Sequence, residues 1–106
     1  LDARRDEVYS AIFDSDNTIV RETSADIVDD KIYLNFLNKK VLFFGPGAIK
    51  CKSLINHKNA VFKESIFPSA KNLGTLGFRK FLNKDFEDVA YFEPFYLKDF
   101  LAVPKK

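Results

Sequence analysis

Val41-Leu42-Phe43-Phe44-Gly45-Pro46-Gly47-Ala48-Ile49-Lys50-Cys51-Lys52-Ser53-Leu54-Ile55-Asn56 is the stretch that decides the fold. Four apolar residues in a row, closed by Gly-Pro-Gly, mark a buried strand that runs into a tight turn. Beyond the turn, Ala48, Cys51 and Ile55 share one helical face, and the helix ends near Asn56. Ala60-Val61-Phe62 reads as the next short strand. Strand, helix, strand in so few residues predicts α/β layers.

The same reading extends in both directions. In Glu7–Asp14, Val8, Ser10 and Ile12 alternate with Tyr9, Ala11 and Phe13, so both faces are largely apolar and a central strand is predicted. Asp14-Ser15-Asp16-Asn17 is a turn, and Thr18–Thr23, with Arg21 and Glu22, is the more exposed antiparallel partner. Asp29 or Asp30 can start a short helix whose apolar stripe is Ile32, Tyr33, Phe36 and Leu37. Pro68-Ser69 opens a third helix with Ala70, Leu73, Gly77 and Phe81 on one face. Gly74 and Gly77 each cost about 1 kcal/mol against alanine there, which predicts close approach of the helix to a sheet. The expectation is one α/β domain over residues 1–106 with a mixed sheet and helices.

Composition narrows the function classes. The chain has 106 residues, 46% hydrophobic and 30% charged, and no apolar run long enough to span a bilayer. A soluble, cytoplasmic protein is expected, with no membrane partner. Seventeen Lys and Arg against fifteen Asp and Glu leave a formal +2, too little to argue for a phosphate-backbone binder. The clusters Arg4-Arg5, Lys39-Lys40 and Lys105-Lys106 read as solvated ends of elements. One cysteine rules out an internal disulfide and any multi-cysteine zinc site. Leu1 at the start, and no methionine anywhere, predict a piece of a longer chain.

Candidate chemistry is sparse. Gly45, Gly47 and Ala48 could offer backbone amides to a phosphate at the strand-to-helix turn. A purely structural turn is the stronger reading, because Pro46 lacks a donor and no Walker or G-x-G-x-x-G pattern is present. Cys51 and His57 stand apart across a helix end, and a buried, inert thiol is expected. His57 alone supplies at most one ligand, so no metal site is expected. The acidic residues, Asp26, Asp29 and Asp30 among them, read as caps and solvated groups. No catalytic residue and no cofactor is assigned.

The tail Asp85–Phe100, D-F-E-D-V-A-Y-F-E-P-F-Y-L-K-D-F, carries Phe86, Tyr91, Phe92, Phe95, Tyr96 and Phe100, and Pro94 bars it from a central strand. It must lean on something. Phe92, Phe95, Tyr96 and Phe100 are the interface candidates, facing a missing part of the protein or a second copy in a homodimer.

Three segments carry a family resemblance: Asp2-Ala3-Arg4-Arg5-x-Glu7-Val8-Tyr9, Phe44-Gly45-Pro46-Gly47-Ala48 and Glu93-Pro94-x-Tyr96-Leu97. In order and spacing the chain resembles the C-terminal lobe of the TsaB (YeaZ) family, glycoprotease-like proteins of bacterial tRNA threonylcarbamoyladenosine (t6A) synthesis. The resemblance implies one lobe of the actin-like, hexokinase-like ATPase fold (ribonuclease H-like), with the N-terminal lobe absent. It also implies a non-catalytic scaffold that partners TsaD and TsaE and meets tRNA through that complex. The H-x-x-x-H metal motif of the catalytic relative is missing, as is the S-F-T-G-L-R continuation that the family has after its own glycine segment. A glycoprotease-type peptidase is the alternative from the enzyme class, and a free-standing RNA-binding module is a third.

Overall fold

The computed structural model describes residues 1–98, and the chain divides into two compact units, Leu1–Phe67 and Pro68–Lys106. In the first unit, β1 (Glu7–Phe13) and β2 (Ile19–Ile27) form an antiparallel hairpin. A 3-10 turn (Leu34–Phe36) follows, then β3 (Val41–Phe44), α1 (Ala48–Leu54) and β4 (Ala60–Lys63). β3 and β4 pair in parallel, Val41 opposite Ala60 through Phe44 opposite Lys63, with α1 as the crossover. The α/β class is therefore present. The expected single mixed sheet is not: among the described residues the strands form two separate pairs, β1-β2 and β3-β4.

The hairpin turn is held by one side chain. Asp14 Oδ1 accepts the backbone N–H groups of Asp16 and Thr18, both at 2.9 Å, while Asn17 sits at φ 62°. Asparagine tolerates that left-handed conformation better than most residues. β2 runs to Ile27, four residues past the expected end at Thr23, and this places Asp26 opposite Val8 inside the strand.

A short helix over residues 32–37 was expected; only the 3-10 turn forms. Asp29 Oδ1 accepts the N–H of Lys31 at 2.8 Å, which closes a turn where helix would start. The remaining apolar residues are too few to offset the cost of nucleating an α-helix, and a 3-10 turn suffices to bring Tyr33 and Leu37 into the core.

The core of this unit is Val8, Val28, Tyr33, Leu37, Cys51 and Ile55, with Ile12, Val41, Phe43 and Phe62 packed against it. Phe43 stacks on Phe62, with ring centroids 4.8 Å apart, and meets Tyr33 edge-on at 5.7 Å. Ala48, Cys51 and Ile55 are buried on one side of α1, as their spacing required. β3 departs from expectation. Val41 and Phe43 turn to the core, but Leu42 and Phe44 are exposed, so the continuous apolar run covers only one of its faces. β1 likewise pairs along its length with β2 alone and meets only an isolated bridge, Asp2 to Val8, on its other edge.

In the second unit, α2 (Ala70–Leu82) begins where Pro68-Ser69 indicated, with the Ser69 hydroxyl accepting the N–H of Lys71. It ends in a Schellman motif: the Lys84 N–H donates to the Phe81 carbonyl and the Asp85 N–H to that of Lys80, with Lys84 at φ 54°. Phe81 then packs edge-on against Phe86, centroids 5.8 Å apart. No residue of α2 is buried, and a Cβ added at Gly74 or Gly77 would meet nothing within 4 Å. Among its described residues the second unit contains no strand, so the sheet expected beside this helix is not part of that unit. No helix among them is long and apolar enough to cross a membrane.

Candidate functional site

The first nine residues build a small hairpin that organises the site. The Ala3 N–H donates to the Glu7 carbonyl at 3.1 Å and the Glu7 N–H to that of Arg4 at 3.0 Å, with Arg5 at φ 55° making the turn. Leu1 then exchanges both backbone bonds with Tyr9: its amino group donates to the Tyr9 carbonyl at 2.7 Å, and its carbonyl accepts the Tyr9 N–H at 2.9 Å. Lys50 on α1 pairs with Asp2 and donates to the Glu7 carbonyl at 3.0 Å, fastening this hairpin to the helix.

The Gly45-Pro46-Gly47 turn packs against that hairpin. A Cβ on Gly47 would lie 3.1 Å from the carbonyl carbon and oxygen of Leu1 and from Val8 Cγ1, so glycine is needed for chain to approach chain. The Ala48 N–H is bonded to the Gly45 carbonyl at 3.0 Å, and Ala48 itself is buried. The Ala48 N–H is thereby spent within the turn, and Gly47 has a packing role against the first hairpin. Gly45 sits at φ 98° with open space beyond its Cα. Gly45→Ala is expected to destabilise by about 1–2 kcal/mol through backbone strain alone, measurable as a lower denaturant midpoint with an unchanged m-value.

A groove of about 970 Å³ opens between β1 and β3. Val8 through Phe13 and Val41 through Phe44 line it, together with Phe36, Leu37, Ala48 and Cys51. Its polar groups offer little reactivity. Burial pushes the Cys51 thiol up, opposite to what a thiolate nucleophile requires. His57 is not among the lining residues, and its Nδ1 accepts the Asn59 N–H at 3.0 Å. Among the described residues, no three His, Cys, Asp or Glu side chains are grouped to hold a metal.

Beside the groove lies a cluster the sequence did not disclose. Asp26 was read as a cap or a solvated group; it is in fact buried at 4% exposure. Arg21 grips it with both guanidinium nitrogens, Nη1 to Oδ2 at 2.8 Å and Nη2 to Oδ1 at 2.5 Å. Ser10 and Tyr33 donate to Oδ2 at 2.5 and 2.8 Å, and Ser24 donates to Oδ1 at 2.9 Å. Burial works to raise the Asp26 carboxyl pKa, but the bonds from Arg21, Ser10, Tyr33 and Ser24 outweigh it and hold the group well below the usual carboxylate range. Burial, with the carboxylate alongside, pushes Tyr33 up to about 12. A carboxylate this fully bonded carries no proton near neutrality and has no free lone pair for a substrate, so the cluster fastens β1, β2 and the segment at Tyr33 together. The signal available in the sequence was Ser10, Arg21, Ser24 and Asp26 on adjacent strands, legible only once β2 is extended past Thr23.

In the second unit, Phe92, Phe95 and Tyr96 are 64%, 82% and 73% exposed, and Phe100 lies outside the described residues, as do Lys105 and Lys106. No protein-family model, curated protein or solved structure matches this chain.

Proposed function

We propose that this chain is a non-catalytic binding lobe of the tRNA threonylcarbamoyladenosine (t6A) modification machinery, a partner of TsaD and TsaE in the cytoplasm. In that reading the hairpin and the β3-α1-β4 crossover belong to one lobe of an actin-like, ribonuclease H-like fold. The observation that carries it is the unspent apolar surface, with Phe92, Phe95 and Tyr96 largely exposed beside an α2 that has no buried residue. Exposed aromatic groups of this density mark surfaces that bind other proteins. The sequence motifs at Asp2–Tyr9, Phe44–Ala48 and Glu93–Leu97 direct the choice of machinery.

The test is reconstitution. The protein is mixed with TsaD, TsaE, ATP, threonine, bicarbonate, the enzyme that makes threonylcarbamoyl-adenylate, and tRNA. Modified tRNA should form only in the complete mixture, and Phe95→Ser with Tyr96→Ser should weaken co-sedimentation with the partners or with a second copy while leaving the fold intact. Modification that proceeds equally well without this protein would overturn the reading, as would robust proteolysis by the protein alone.

A further inference from the structure

We propose that the groove between β1 and β3 is a strand-acceptor site. Its occupant is an extended peptide strand rich in aliphatic residues, in line with Leu1, antiparallel to β1 and parallel to β3. Once seated, it joins the two strand pairs into one continuous mixed sheet.

The lining pattern separates an edge from a face. Side chains alternate across a strand, so a groove lying over one face of a sheet is lined by every second residue. Here Val8 to Phe13 and Val41 to Phe44 line it without a gap, as two facing strand edges do. The hydrogen-bond phase agrees. Tyr9 spends its N–H and carbonyl on Leu1, away from β2, so by alternation Ala11 also turns its backbone groups toward the groove. Val41 donates to the Asn59 carbonyl at 2.8 Å, on the β4 side, which turns the backbone groups of Leu42 and Phe44 toward the groove.

The direction of the occupant follows from a ladder that has already begun. Asp2 bridges Val8 in antiparallel sense, and Leu1 bonds Tyr9. Continuing that ladder places the next residues of an added strand opposite Ser10, Ala11, Ile12 and Phe13 in turn. Its carboxyl end meets Gly47, just beyond the carboxyl end of β3, because the Leu1 carbonyl already packs there. An added strand is therefore parallel to β3. The positions opposite Ser10 and Ile12 face the Val8–Cys51 core and call for aliphatic side chains. The site also accounts for a mismatch between sequence and structure: β1 and β3 have the composition of central strands, and each would become one with the groove filled. It stands independently of the tRNA-modification reading.

The experiment compares the 1–106 chain with two versions extended before Leu1. One carries six alternating Val and Thr residues with valines placed opposite Ser10 and Ile12. The other carries an equally long extension interrupted by prolines. The Val-Thr extension should slow amide exchange at Ala11, Leu42 and Phe44 by about tenfold or more, and should slow alkylation of Cys51, the single thiol; the proline version should change neither. In a second arm, independent of how the fusions fold, the Val-Thr hexapeptide is added in trans at about millimolar concentration, comparable with the effective concentration of a short tether. Protection of these amides by the Val-Thr extension, or titratable protection by the added hexapeptide, supports the site. Unchanged exchange in both arms overturns it. So does concentration-dependent protection of these amides in the unextended chain with a dimer in sedimentation, since the occupant would then be a second copy.

Discussion

Asp26→Asn is expected to destabilise the protein by about 3 kcal/mol at neutral pH, near the lower end of what breaking a buried ion pair costs, because the Arg21 side chain keeps 29% exposure and can recover some hydration. The loss has two sources. The amide keeps the shape of the carboxylate but gives up its charge, and its nitrogen offers donors where Arg21, Ser10, Ser24 and Tyr33 already donate. Urea titration at pH 7 measures the effect directly, and a shift of less than about 1 kcal/mol would mean that solvent already shares the cluster.

The same residue sets an acid limit. Its folded pKa lies below the unfolded value of about 3.9, so the unfolded chain binds the proton more readily and stability rises with pH through this range. The contribution is fully present above the unfolded pKa. It is lost as pH falls from there through the depressed folded value. Stability of the parent chain should therefore drop steeply below about pH 4, and the Asp26→Asn variant should show a shallower acid slope. Equal slopes for the two would assign acid unfolding to other carboxylates.

Leu37→Ala is the second large effect, with an expected loss of about 3 kcal/mol within the 2–5 range for buried leucine truncation. Leu37 is 2% exposed and sits with Val8, Val28, Tyr33, Cys51 and Ile55 in a small core. Its carbonyl also accepts Asn59 Nδ2 at 2.8 Å, so the backbone is pinned and the cavity cannot easily collapse. Against a typical net stability of about 5–15 kcal/mol, that loss leaves the unit marginal. Leu42→Ala supplies the contrast: its exposed side chain should change stability by less than about 0.5 kcal/mol. Similar losses for the two leucines would show that the face bearing Leu42 is covered in solution.

Much of the fold was legible from local rules. Val41–Phe44 as strand, the glycine turn, the buried face of α1, the Ala60 strand and the Ser69 cap all depend on residues close in sequence, where turn chemistry and helical spacing act over a few positions. The tail rings were legible as surplus apolar surface for the same reason: Phe92, Phe95 and Tyr96 need no partner to be counted. Leu1–Tyr9 closes a hairpin, and Gly47 lets the chain approach it closely.

What only the tertiary structure decided are the relations between distant segments. Asp26 looked like one of several loop acids, and its burial depends on Arg21 and Ser24 along β2, Ser10 across the hairpin and Tyr33 beyond it, a convergence that no local pattern encodes. Gly47 read as a conformational turn residue, yet its role is steric, against Leu1 and Val8, 46 and 39 positions earlier in the chain. Strand pairing is the clearest case. Apolar alternation states that β1 and β3 are suited to burial, but which edge meets which strand is set by long-range hydrogen bonding, and here that left two open edges facing one groove. Sequence by itself determined most of the elements and the buried face of α1, because those follow from backbone propensity and periodicity; the structure determined the buried carboxylate, the packed glycine and the open edges, because each depends on contacts between residues far apart in the chain.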